Sequence, residues 1–414
     1  MKKTLFAIAF VAAISGLLSC SKDGVKTVSA SAVIDESGLA SSVTKPESYT
    51  VTFTNVSTTT AVTATTENGT AVVNGLVPGI YKVTATASTV SGGFTYTLSA
   101  SENSASIVND GAKVTLKIAA AKESALVFKE IYYAGCSFTD TTGTAADYFR
   151  DQYYEIYNNS DQTVYADSLC IAETRYAFYD FSYMFTWEIP NPENYVFCSI
   201  IWQIPGTGKD YPVKPGESII IAQWATNHKA RKLTNDGSPV DLSGAEFEAI
   251  TNSSTLWNGI VITDGPAINM VKAVNSDGYD IPQWLTPVSG GAYVIFKPSS
   301  ELKNSDFITA SNATWGNTGR EVLLTDILDG VQAVGDATRA TTLGLPSSVD
   351  AGYIFLPDGT YTGQSISRKV ASTKTGGRVI LQDTNNTTND FEIQDTPVIR
   401  RNGAGKPSWN TWAN

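Results

Sequence analysis

Tyr179, Phe181, Tyr183, Phe185 and Trp187 occupy every second position of the stretch YDFSYMFTWEIP. On a strand that spacing lines five rings along one face. Such a face could stack on a sugar, on a haem-like ring or on a protein partner. The same spacing also describes the inner wall of a sandwich. Burying each large ring contributes roughly 1.5 to 3 kcal/mol, and a soluble protein seldom leaves so large an apolar patch open. The core is therefore the first expectation. The rim of this aromatic stretch, with Tyr183, Trp187, Tyr195 and Trp202 as candidate ligand contacts, is the second.

Other residues that could carry chemistry fall short of a pattern. Gly206-Thr207-Gly208-Lys209-Asp210 contains a Gly-Lys pair, but it lacks the earlier glycine and the following Ser or Thr that a phosphate loop requires. The chain has a single histidine, His228, and no Gly-x-Ser-x-Gly elbow, which disfavours a nucleophilic triad. A carboxylate pair from distant strands could support hydrolysis, yet spacing singles none out. Asn235, Asp236, Ser238 and Asp241, or Asp277 and Asp280, could offer oxygens to calcium, but their spacing fits no calcium loop and turn chemistry explains them. No cofactor is expected, and the protein is expected not to be an enzyme.

The leader is more informative. MKKTLFAIAFVAAISGLLSC opens with two lysines, continues with an apolar run of secretory length, and is too short to span a membrane. Leu17-Leu18-Ser19-Cys20 matches the bacterial lipobox. The resemblance implies a signal peptide over 1–19, cleavage before Cys20, a diacylglycerol on its sulfur and a lipidated tether over 20–26. The short polar tether resembles an outward export signal, which favours the cell-surface side of the outer membrane. With Cys20 acylated, Cys136, Cys170 and Cys198 remain. One disulfide with one buried thiol, or three buried thiols, are both compatible with that number. A formal charge of −11 leaves no basic footprint for nucleic acid.

The elements that must position these residues read as strands. Tyr49, Val51 and Phe53, then Tyr81, Val83 and Ala85, then Val114, Leu116 and Ile118 alternate with polar residues between turn signals. The segment GLVPGIYKVTA from Gly75 to Ala85 resembles a strand of prealbumin-like and carboxypeptidase-regulatory-like sandwiches, so 27–121 is expected to be a small β-sandwich. Ala119 to Ser124 reads as a linker. Over 125–414, Glu155 and Asn158, the hairpin Pro215-Gly216-Glu217 with Ile219 to Ile221, and the segments Ser365–Lys369 and Leu381–Phe391 resemble a lamin-tail-like (immunoglobulin-like) sandwich carrying insertions. Ala145–Asp151 and Glu321–Val334 are the expected short helices. The fold class is all-β.

The chain as a whole resembles uncharacterised outer-membrane lipoproteins of gut Bacteroidetes, a family of unknown function. That resemblance implies a membrane partner through the lipid anchor and a non-enzymatic binding role beside a TonB-dependent receptor. A structural or adhesive surface role is the alternative, and a carboxylate-dependent hydrolase is less favoured.

Overall fold

Alternating apolar residues build the N-terminal unit. In the computed structural model, which describes residues 26–40, 43–91, 94–122, 124–139, 142–174, 186–230, 237–251, 255, 261–262, 264–276, 281–304, 307–311, 318–336, 338 and 344–413, eight strands fall before residue 123. They are β1 (Val28–Asp35), β2 (Thr50–Asn55), β3 (Ala61–Thr65), β4 (Thr70–Leu76), β5 (Gly79–Ser91), β6 (Phe94–Ile107), β7 (Ala112–Lys117) and β8 (Ala119–Lys122). They form two sheets, in the orders β4-β1-β7 and β3-β2-β5-β6-β8. Val51, Phe53, Tyr81, Val83, Leu98 and Leu116 meet between them in one core. The Pro78-Gly79 turn aims β5 into that core, and the Tyr81 hydroxyl donates back to the Val77 carbonyl at 2.7 Å.

The expected linker is corrected here. Ala119–Lys122 is β8, paired antiparallel with Tyr96–Ser99 of β6. Backbone groups alone make that pairing, so side-chain composition gave no sign of it. Across to the larger unit, Lys82 Nζ donates to Thr388 Oγ1 at 3.1 Å and lies 5.1 Å above the Tyr353 ring.

The larger unit stacks two seven-stranded sheets. The first runs, edge to edge, through Ile268–Asn269, Phe247–Glu248, Ser218–Ala222, Tyr153–Asn158, Leu126–Tyr132, Ser365–Arg368 and Phe391–Gln394. The second runs through Ile308–Thr309, Thr318–Leu323, Tyr195–Gln203, Cys170–Thr174, Ala292–Phe296 and Ile327–Gln332, with Val271–Asn275 also paired to Tyr195–Gln203. Phe128, Tyr154, Ile156 and Ile221 from the first sheet meet Ile171, Trp202, Tyr293 and Ile295 from the second. Both outer faces are covered as well. Val240, Leu242 and Ala245 lie over Tyr132, Tyr153 and Ile220 of the first sheet. Leu345 and Val349 lie over Cys170, Val294 and Phe296 of the second.

Two helices expected from periodicity are strands instead. Ala145–Tyr148 pairs with Cys136–Thr139. Within Glu321–Val334, the strand Thr318–Leu323 turns through a single 3-10 turn, Leu324–Asp326, into Ile327–Gln332. Val322, Leu323, Ile327 and Leu328 stood at helical spacing because two strands and a turn place them there. Long-range pairing with Tyr195–Gln203 and Ala292–Phe296 decides the conformation. Cys136, Cys170 and Cys198 are three buried free thiols.

The residues shared with the lamin-tail pattern do structural work. Asn158 donates to the Gln162 and Val213 carbonyls and accepts from the Ser160 amide and hydroxyl, which closes its turn. Glu155 pairs in register with Glu130, while the next residue, Ile156, pairs with Phe128. Lys129 is therefore the extra residue of a β-bulge, and it shares the outer face with Glu130. Lys129 sits 3.1 Å from Glu155, Arg401 Nε donates to Glu130 at 3.1 Å, and Arg400 bonds Glu246 at 2.5 Å. All three glutamates are fully buried. Val398 and Arg400 also donate their amides to Glu130 and Glu155.

Removing one partner from a buried pair leaves an uncompensated charge. Arg401→Met should therefore cost about 3 kcal/mol, and Glu130→Gln in the same chain should restore a large part of it. Urea unfolding followed by tryptophan fluorescence reads this unit alone, because all eight tryptophans lie beyond residue 125. A double-variant loss equal to the sum of the Arg401→Met and Glu130→Gln losses would show that the pair does not couple.

Candidate functional site

The aromatic stretch enters the structure at Thr186. Tyr183, like Tyr179, Phe181 and Phe185, lies outside the described residues. Trp187 stacks on Phe197 at 4.4 Å between centroids and 10° between planes. Its ring presses on Gly319, where an added Cβ would come within 3.0 Å of it. Phe197 faces Glu321 in the register of Tyr195–Gln203 with Thr318–Leu323. Ala310, Ile189 and Ile308 complete this small cluster, with Tyr195 packed on its edge. Trp202 is 0% exposed and belongs to the core between the sheets. It has no surface to offer a ligand. Of the three candidate rings among the described residues, Tyr195 is the one that borders open space.

That space is a cleft of about 190 Å³, lined among others by Tyr195, Phe296, Ser299, Arg320, Glu321 and Asp326. Arg320 NH1 donates to Glu321 Oε1 at 2.7 Å. Arg320 Nε and Glu321 Oε2, both shielded from solvent, have no hydrogen-bond partner among the described residues. Asp326 accepts from the amide and hydroxyl of Ser299, each at 2.9 Å, which fixes the far wall. The cleft thus sets an aromatic ring beside a guanidinium–carboxylate pair. Its volume is below the roughly 300 Å³ of common small-molecule sites, so it suits a single polar ring or one end of a longer ligand. Sequence reading missed Arg320, Glu321 and Asp326 because it expected a helix over Glu321–Val334, with Arg320 just before it. The Thr318-Gly319 step, a turn-prone pair before β-branched Val322, was the available sign.

The remaining reactive side chains are spent on structure. Asp167 accepts the amides of Gly208, Asp210 and Tyr211 at 2.9 to 3.0 Å. The Gly-Lys loop is thus wrapped around a carboxylate of its own chain. Gly206 has φ +136, and a Cβ there would come within 2.3 Å of Asp167. His228 is fully buried, with Nδ1 2.8 Å from the Tyr148 hydroxyl and Nε2 3.0 Å from the Trp224 carbonyl. That carbonyl can only accept, so Nε2 carries a proton. Asp151 receives Ser238 Oγ at 2.8 Å and Tyr132 OH at 3.0 Å. Burial pushes the Cys136 thiol well up, with the Asp151 charge adding to it, which removes its nucleophilic form. Ser238, a candidate calcium oxygen, is this donor to Asp151. Asp241 caps Ser243 instead. Asn235, Asp236, Asp277 and Asp280 lie outside the described residues.

A second ionic knot joins the sheets. Arg368 contacts Asp329 at 2.5 Å, Asp383 at 3.2 Å and Asp390 at 3.5 Å, and donates to the Phe128 carbonyl. Asp329 in turn accepts the Phe128 amide at 2.7 Å.

A crystal structure of a DUF4876 family protein from Bacteroides thetaiotaomicron VPI-5482 matches this chain at 32% identity, with a TM-score of 0.62, over 92% of this chain and 99% of that one. The chain belongs to the DUF4876 family. The family model, described as a protein of unknown function, matches residues 214–398. Within the DUF4876 fold as seen here, that span runs from the Pro-Gly hairpin to two residues before Arg400, and it includes every cleft residue named above except Tyr195. The chain matches none of the curated proteins.

Two expectations follow for this DUF4876 chain. Trp202→Ala should cost roughly 3 to 5 kcal/mol as a core truncation, whereas Tyr195→Ala should stay within about 1 kcal/mol, because its ring already meets solvent. Urea midpoints would separate them, and a large loss at Tyr195 would make that ring core. The second concerns pH. Burial raises Asp151 and Asp350 to about 6 and Glu248 to about 7. In the unfolded chain such acids titrate near pH 4. Between those values the folded state holds more protons, so stability falls as pH rises. The melting midpoint should be higher at pH 5 than at pH 7.5, by roughly 2 to 4 °C per kcal/mol of burial penalty relieved. A midpoint that rises with pH across this range would contradict the buried-acid assignment.

Proposed function

We propose that this protein is an acylated lipoprotein of the outer membrane, displayed at the cell surface, that binds a ligand without transforming it. It acts beside a TonB-dependent receptor in nutrient uptake. The observation that carries the anchor is Leu17-Leu18-Ser19-Cys20 at the end of an apolar leader, with seven residues between Cys20 and the first strand at Val28. The Bacteroides relative is consistent with that reading. Binding is supported by the Tyr195–Arg320–Glu321 cleft, where a ring beside a guanidinium–carboxylate pair suits a hydroxyl-bearing or amide-bearing group stacked on the ring. The raised acids Asp151 and Asp350 are closed in by their own donors, as a structural rather than catalytic role requires.

The test is purification of the tagged, acylated protein from outer membranes in mild detergent, with companions identified by mass spectrometry. A stoichiometric β-barrel receptor is the expected companion. Recovery alone, or only with envelope scaffold proteins, would overturn the uptake role in favour of a structural surface role. Cys20→Ala should abolish fatty-acid labelling and release the protein from membranes; persistent labelling would remove the anchor assignment.

A further inference from the structure

The N-terminal sandwich has an end that its own strands leave apolar. Among the described residues it exposes six large aliphatic side chains, and four of them gather at one end: Val56 at 54%, Val77 at 47%, Ile80 at 43% and Val108 at 50%. Their proximity follows from the register. The Val56 amide donates to the Ile80 carbonyl at 3.0 Å. Gly79 pairs with Ile107, which puts the Val77-Pro78 turn beside Val108. Val56, Val77 and Val108 sit on the turns after β2, β4 and β6, and Ile80 is the second residue of β5. Polar residues would cost nothing at such positions, and Ser57, Thr58, Thr59 and Asn109 show that the turns accept them.

The same end receives the chain from its N-terminus. Val28, the first residue of β1, pairs with Leu76. Ser29 donates its amide and hydroxyl to Asp110, at 2.8 and 2.7 Å, in the turn that carries Val108. Eight residue steps separate Cys20 from Val28, a reach of at most roughly 28 Å. β1 then runs about 25 Å away from that end. An acyl chain on Cys20 therefore attaches at the aliphatic end, which a slack tether brings to the bilayer, and the apolar side chains rather than the tether length select that end. Lys22 and Lys26 lie in the intervening segment and favour an anionic surface.

We propose that Val56, Val77, Ile80 and Val108 form a lipid-facing tip that seats the N-terminal sandwich on the membrane surface as a second contact beside the acyl anchor. One lipid attachment leaves a protein free to swivel; an apolar tip adds a fixed orientation. This inference rests on the lipid-anchor reading of Cys20. In it the sandwich is an oriented pedestal that holds the larger unit at a set height and angle.

Amide hydrogen exchange on the full acylated protein, bound to vesicles of phosphatidylethanolamine and phosphatidylglycerol, tests it. The turns over residues 56–60, 77–79 and 108–111 should exchange about tenfold more slowly on vesicles than in the soluble Cys20→Ala protein. In the Val77→Asp, Val108→Asp double variant, acylation and vesicle binding should persist while that protection is lost. If the acylated protein binds vesicles and these turns exchange as fast as in solution, the tip does not touch lipid, and the inference fails while the anchor stands. If Cys20 carries no fatty acid, the anchor reading fails and takes the inference with it.

Discussion

Three carboxylates buried on the outer face of one sheet set the terms for the larger unit. Glu130, Glu155 and Glu246 lie where solvent cannot reach, and a carboxylate so placed needs a cation within contact distance. Lys129 supplies one, and only because a bulge turns it to the same face as Glu130. Arg400 and Arg401 supply the other two from the far end of the chain. The last residues are thus part of the sheet's charge balance. Arg400 and Asn402 hold φ of +57 and +60, a left-handed geometry that costs of order 1 kcal/mol per residue. The ion pairs and amide bonds to Glu130 and Glu155 are strong enough to hold it. Burial still pushes Glu246 above the usual carboxylate range, with Arg400 and Asn410 pulling it back.

The Arg368 knot follows the same logic one layer deeper. One guanidinium meets three aspartates, and burial raises both Asp329 and Asp390 despite it. Acids raised in this way often mark catalytic sites. Here the partners decide otherwise. Asp329 accepts a strand amide from the facing sheet, Asp390 accepts the Thr384 amide and hydroxyl, and Asp350 accepts from Thr387 and Gly352. Each carboxylate replaces backbone partners where the chain leaves its ladder, so the raised values are a consequence of closing loops over a sheet buried on both faces.

That double burial also explains what could be read in advance. The N-terminal sandwich has one wet face per sheet, so Tyr49, Val51 and Phe53 alternate visibly with threonines and its strands were legible. In Leu126–Tyr132 and Ser218–Ala222 every residue is buried, and alternation is lost because cover loops claim the outer face. Pro215-Gly216-Glu217 and Glu155 survived as signals because turn geometry and buried charge constrain residue type locally. The cleft did not. Tyr195 and Arg320 lie 125 positions apart, and the pairing that joins them leaves no local periodicity, so a reading by window saw a helix start.

The aromatic stretch shows how a pattern can be sound and its use still undetermined by pattern. Trp187 and Trp202 are both rings on or beside one strand system, yet one caps an edge cluster and the other fills the core. Strand alternation fixes which residues share a face, but not whether a second layer covers that face. Between the sheets the cover is complete, so Trp202 contributes stability. Near Thr318–Leu323 the second sheet narrows to the two-residue strand Ile308–Thr309. Cover thins there, and Arg320 and Glu321 each keep a polar atom without a partner among the described residues. Open space in such a sandwich forms where the second layer runs out, and in this chain that is beside the aromatic stretch.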